Sequence, residues 1–226
     1  MGLEISNSLI RNSGKYFVLL AAVFGLIYFY KYKDTFLRPM MYLLWTIAFV
    51  EFFSYFTKKY GVLVYTDENG VPYTYWLYNL LYFGLFLTIF RIYLKAITNK
   101  VYKKWIRYFI ISYILISIVN WTMIQNFVLE LSVLPYISGS IFLIITIIFY
   151  FLELLKSEKI LLYHRQLLFW ISIGLLLFHT GTIPFSLEIN GYALIPGIHK
   201  LFLIITFLSN IMYSMFTFGF IWSRKE

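Results

Sequence analysis

The sequence predicts an all-α integral membrane protein, a bundle of seven transmembrane helices with its N-terminus outside and its C-terminus in the cytoplasm. Three observations carry this reading. Of 226 residues, 61% are hydrophobic and 13% charged, where a soluble domain is about 45–50% apolar and about 25% charged. Seven apolar stretches are each long enough to cross a hydrocarbon core of about 30 Å, which takes roughly 20 residues. The basic residues between them fall on alternate sides of the membrane.

The predicted spans are 16–32, 37–57, 73–95, 105–125, 134–155, 165–185 and 195–222 in a single domain, 1–226. The first apolar run, Val18–Phe29, leads into Lys31, Tyr32 and Lys33 rather than into small residues, so it reads as a retained helix and not as a cleaved leader. Pro39, Pro72, Pro135 and Pro196 stand at or near the starts of spans, where a missing N–H costs least. Pro184 lies near the end of the sixth. Many of the 24 Phe, 21 Tyr and 6 Trp sit at span ends, as interfacial belts require.

Orientation follows from Lys and Arg. The first connection carries Lys31, Lys33 and Arg38; the third Lys95, Lys100, Lys103, Lys104 and Arg107; the fifth Lys156, Lys159 and Arg165; the tail Arg224 and Lys225. The fourth and sixth carry only Glu130 and Glu188. The opposing signals, Arg11 and Lys15 before the first span and Lys58 and Lys59 after the second, are outweighed. The localisation expected is the inner (cytoplasmic) membrane, multi-pass.

Two segments have turn chemistry. Val62–Thr66 and Val71–Tyr73 flank an Asn69-Gly70 pair, a hairpin pattern, and 187–193 repeats it around Asn190-Gly191. They are either a lid on the outer face or ordered loops without a role.

Several chemistries are excluded or disfavoured. Without cysteine there are no disulfides, thiolates or cysteine metal sites. His164, His179 and His199 have no metal-binding spacing, so no metal and no cofactor is expected. The net charge of +9 flanks the spans, which points to orientation and headgroups and not to nucleic acid.

The informative residues are the polar ones within the spans. At 1.5 Å per residue, Glu51, Asn120 and His179 lie roughly 18 Å or more from the cytoplasmic side. Asn79, Ser140 and Lys200 lie about 6–9 Å from the outer ends of their helices. Six helices therefore feed one slab in the outer half, while Thr46, Ser112, Ser172 and Asn210 are assigned to the inner half. An acid at such depth is expensive and calls for a partner or a task. Glu51, Asn79, Tyr82, Asn120, His179 and Lys200 are the expected ligand-binding residues. Glu51 would anchor a cation or proton, with Lys200 or His179 as counter-charge and the asparagines as amide contacts. For Asn120 and Ser140, hydrogen bonding between helices explains the residue equally well.

The stretch Tyr75-Trp76-Leu77-Tyr78-Asn79-Leu80-Leu81-Tyr82, after a second helix that bears Glu51, resembles uncharacterised seven-helix membrane proteins of Bacteroidota. The overall plan is similar to the seven-helix sensor regions of bacterial histidine kinases. That resemblance implies sensing, with the output domain on another polypeptide. The expected function is a receptor-like sensor or transducer subunit for signal transduction, binding a small or amphiphilic ligand in the outer-half pocket. One alternative is a membrane-embedded enzyme acting on lipid with Glu51 and His179 as acid–base pair; another is a small transporter. The basic and aromatic segment 96–107 is expected to dock on membrane lipid or on a signalling partner.

Overall fold

A computed structural model describes the backbone of residues 2–66, 70, 72–187 and 199–224, with side chains at these positions except 2–12, 72, 158–161 and 199–202. The elements are α1 (Gly2–Ile27), α2 (Phe29–Tyr32), α3 (Arg38–Tyr60), β1 (Tyr65–Thr66), β2 (Pro72–Tyr73), α4 (Tyr75–Ala96), α5 (Lys100–Val119), α6 (Val133–Leu155), α7 (Leu167–Ser186) and α8 (His199–Trp222). A π-type turn, Asn120–Ile124, extends α5, and a 3₁₀ segment, Glu158–Arg165, links α6 to α7.

Among the described residues six helices are long and apolar enough to cross a membrane: α3, α4, α5 with its π turn, α6, α7 and the Leu203–Trp222 part of α8. Ser13–Ile27 of α1 is a shorter apolar helix. The interior is mainly apolar with small polar residues among it, and the exterior is apolar as well. Phe49, Leu115 and Phe207 are exposed while Ser54, Ser117, Ser140, Thr146 and Ser172 are buried. Apolar side chains turned outward suit a helical bundle in hydrocarbon, where backbone polar groups must be satisfied within each helix.

The helices form a ring, α1–α3–α4–α6–α7–α8 and back to α1, with α5 outside it against α4 and α6. The tightest seam joins α7 to α8 and depends on glycine. A Cβ on Gly174 would stand 3.0 Å from the Phe216 ring and 3.1 Å from the Met212 carbonyl, and one on Gly219 2.9 Å from Leu167 and Trp170. Small residues of this kind let two backbones approach. Gly139 does the same for α6, where a Cβ would meet Tyr113 at 2.9 Å and Phe86 at 3.0 Å.

Two local structures differ from the sequence expectation and a third agrees with it. The fourth helix starts at Lys100, not 105, because Asn99 accepts from the backbone N–H of Val101 (2.9 Å) and Tyr102 (3.3 Å) and so caps it. Most of the segment 96–107 is therefore helix rather than loop. The first helix begins at Gly2, well before 16, and breaks at Tyr28 before the short α2. The hairpin expected around Asn69-Gly70 is present: β1 and β2 pair antiparallel, Tyr65 with Tyr73. It is approached through Gly61, whose left-handed conformation (φ 67°) ends α3. The second hairpin, 187–193, falls almost wholly outside the described residues.

Candidate functional site

A cavity of about 240 Å³ runs down the middle of the ring. Its wall follows helical periodicity. On α3 it takes Met40, Leu43, Ile47 and Glu51; on α4, Tyr78, Leu81, Tyr82, Leu85 and Ile89. On α8 it takes Ile205, Thr206, Ser209, Met212, Tyr213 and Phe216. Each set spans eleven residue steps, 40 to 51, 78 to 89 and 205 to 216, which is about 16 Å along a helix. Gly14, Lys15 and Val18 of α1, Tyr136 of α6, and Leu175, Phe178 and His179 of α7 complete it. The external helix α5 contributes nothing.

The two ends differ. Glu51, Lys15, Tyr78, Tyr82, Thr206 and Ser209 gather at one end, Met40, Ile89 and Phe216 at the other. At the polar end the Tyr78 hydroxyl donates to Glu51 Oε2 at 3.4 Å, a long bond. Among the described residues, Lys15 and Lys58 are the cations within electrostatic range of Glu51. The Tyr82 and Tyr213 phenols also lie within electrostatic range of Glu51 and of Tyr136.

His179 lines the cavity but is held from behind. Ser140 Oγ lies 2.7 Å from the Tyr136 carbonyl and 2.8 Å from His179 Nδ1. With its one proton on the carbonyl it accepts from Nδ1–H, and with that proton on Nδ1 the imidazole N–H is at Nε2; in either tautomer Nδ1 is engaged by Ser140. The ring is packed against Phe86, Tyr136 and Phe178, with centroids 5.3–5.9 Å apart. Glu51 and His179 thus share one cavity without bonding to each other.

Of the residues singled out from sequence, Glu51, Tyr82 and His179 meet here. Asn79 does not line the cavity. Its Nδ2 donates to the carbonyls of Phe127 (2.7 Å) and Glu130 (2.9 Å), and its Oδ1 accepts from Ser132 N–H (2.9 Å), so it clamps the connection between α5 and α6. Asn120 is buried on α5 at the π turn, away from the cavity, and neither polar atom of its amide has a partner among the described residues. The Lys200 side chain lies outside the described residues. Asn210, read from sequence as an inner-half residue, donates through Nδ2 to Ser13 Oγ (2.7 Å), beside Gly14 of the cavity wall.

Sequence reasoning missed Lys15, Tyr78's bond to Glu51, and Tyr213. A signal for Lys15 existed: it stands three residues before Val18, on the same buried face as Ala21 and Ala22. No protein-family model, curated protein or solved structure matches this chain. The site's chemistry therefore rests on its own geometry.

Proposed function

We propose that the protein is a receptor-like membrane sensor, or the transducer subunit of one, that takes a small amphiphile into the cavity between its six ring helices. The observation that supports this is the cavity's two-ended chemistry: a hydrogen-bonding, charged end at Glu51, Lys15 and Tyr78 and an apolar end about 16 Å away. A space of about 240 Å³ exceeds the engineered apolar cavity of about 150 Å³ that holds benzene. Its length suits an elongated molecule whose polar head lies at Glu51. Catalysis on lipid is the weaker reading, since His179 is engaged by Ser140 and does not bond Glu51.

In this proposal α1 is the seventh span, and the basic loops place the C-terminus and the α4–α5 connection in the cytoplasm of a bacterial cell. The head of the ligand then enters from outside, and a signalling partner docks near residues 96–107. Reporter fusions test the topology: a fusion after Arg224 active only in the cytoplasm and one at Gly70 active only outside. The reverse pattern overturns it. Native mass spectrometry of protein purified in mild detergent tests the ligand. A retained small molecule, lost in Glu51→Gln while unfolding temperature changes little, is the expected result. Turnover of a lipid extract by the wild type, abolished by Glu51→Gln, would replace the sensor by an enzyme.

A further inference from the structure

A second and larger cavity, about 910 Å³, opens at the other end of the bundle, among the last turns of α6 and α8, the start of α7 and the α4–α5 connection. Three cations from three segments line it: Lys156 after α6, Arg165 at the end of the 3₁₀ segment and Arg224 after α8. Glu153 is the acid on its wall, and that carboxylate is fully engaged. Its Oε1 accepts from the Thr98 N–H (2.7 Å) and hydroxyl (2.6 Å), and its Oε2 from the Asn99 N–H (3.1 Å). Among the described residues no acid pairs with Lys156, Arg165 or Arg224.

The arginines are positioned. Arg165 lies over the Trp222 indole, 4.4 Å from its centroid, a cation–π contact that holds the guanidinium while leaving it N–H groups to donate. The Arg224 N–H donates to the Arg165 carbonyl (3.0 Å), which ties the two residues together. Helix α8 ends here, and its exposed carbonyls would repel an anion. Lys31 covers them by donating to the carbonyls of Ser223 (3.1 Å) and Phe220 (3.4 Å). Gln166 accepts from the Tyr150 hydroxyl through Oε1 (3.2 Å), so its amide N–H₂ is turned to donation as well. The remaining wall is mostly apolar, including Phe36, Leu162 and Leu168, with Ser157 and Tyr102 among it.

From this arrangement we infer that the cavity binds the phosphate-bearing headgroup of an anionic membrane lipid. Guanidinium edges match phosphate oxygens in pairs, and basic pockets between helices at a membrane surface are suited to anionic headgroups. The lipid source is favoured over a free phosphate because the site is wide, partly apolar, and level with the helix ends. It is independent of the cavity at Glu51 and stands whether or not that cavity binds an amphiphile.

The test is native mass spectrometry of the full chain exchanged into phosphatidylglycerol or phosphatidylcholine, beside thermal unfolding with inorganic phosphate or pyrophosphate. Expected is preferential retention of phosphatidylglycerol, weakened about fivefold by Arg224→Gln and roughly twenty-five-fold by Arg165→Gln with Arg224→Gln. Lys100→Gln, exposed and outside the cavity, and Glu51→Gln should leave it unchanged. Because Arg165→Gln also removes the contact to Trp222, Arg224→Gln, which spares that contact, is decisive if the double variant fails to fold. Equal retention of the two lipids, or retention indifferent to Arg224, overturns the inference. Stabilisation by pyrophosphate without selectivity for phosphatidylglycerol overturns the lipid source.

Discussion

Leu85→Trp asks whether the space inside the ring is a working cavity. Leu85 faces it from the middle of α4, with Tyr82 nearer the Glu51 end and Ile89 nearer the apolar end. Left dry, a space of about 240 Å³ would cost about 6 kcal/mol at about 24 cal/mol per Å³, so water or a ligand is expected to share it. An indole that takes up about a quarter of the space restores about 1.4 kcal/mol. For a chain of this length that raises the unfolding temperature by about 3–6 °C. The assay is thermal unfolding, followed by tryptophan fluorescence, of wild type and variant in one detergent after extensive delipidation. The same comparison is then made on protein that keeps its co-purified ligand. Delipidated Leu85→Trp should unfold higher than delipidated wild type, and the extra stability conferred by the ligand should shrink in the variant. A fall of several degrees in the delipidated variant would refute the reasoning, because the indole would then be overpacking a closed core.

Three further outcomes are expected, two from packing and one from hydrogen bonding. Gly174→Ala should lower stability by about 1–3 kcal/mol, since its Cβ meets the Met212 carbonyl, a backbone atom that cannot swing aside. Gly84→Ala, with nothing within 4 Å, should instead gain up to about 1 kcal/mol of helix propensity. Thermal unfolding of the pair distinguishes close approach from generic glycine effects. Asn79→Ala removes three hydrogen bonds from the connection before α6, two to the part-buried carbonyls of Phe127 and Glu130 and one from the buried Ser132 N–H. It should cost about 2–4 kcal/mol and speed proteolysis in 125–132, yet leave retention of the cavity ligand unchanged.

How far the sequence could be read depends on which physical rule each residue obeys. Spans are legible because a continuous apolar run of bilayer length has few other meanings, and α3, α4, α6 and α7 lie within about two or three residues of the expected limits. The inward aspect of Glu51 was legible for the same reason: a carboxylate on an apolar helix cannot be left in hydrocarbon. Its surroundings were less so: Lys200, which shares its expected depth, has its side chain outside the described residues, while Lys15, which reads as part of a tail that bears only on orientation, lines the same cavity. The helix that carries Lys15 begins far earlier than hydropathy suggests, since a polar first half has no apolar period to show it. Asn79 marks a second limit. An amide between tyrosines at the start of a helix reads equally as a ligand contact or as a clamp on a neighbouring turn. The acceptors that decide it, the Phe127 and Glu130 carbonyls, are about fifty residues away and belong to a connection with no motif of its own. The Asn99 cap hid in a different way. Its neighbours Lys100, Lys103 and Lys104 signalled a loop by charge, although on the structure they belong to the first turns of α5, Lys100 and Lys104 exposed and Lys103 half-buried. Charge locates the end of a span on the membrane axis, but only the hydrogen bonds of the cap fix where the helix begins, and so the two can disagree by a full turn.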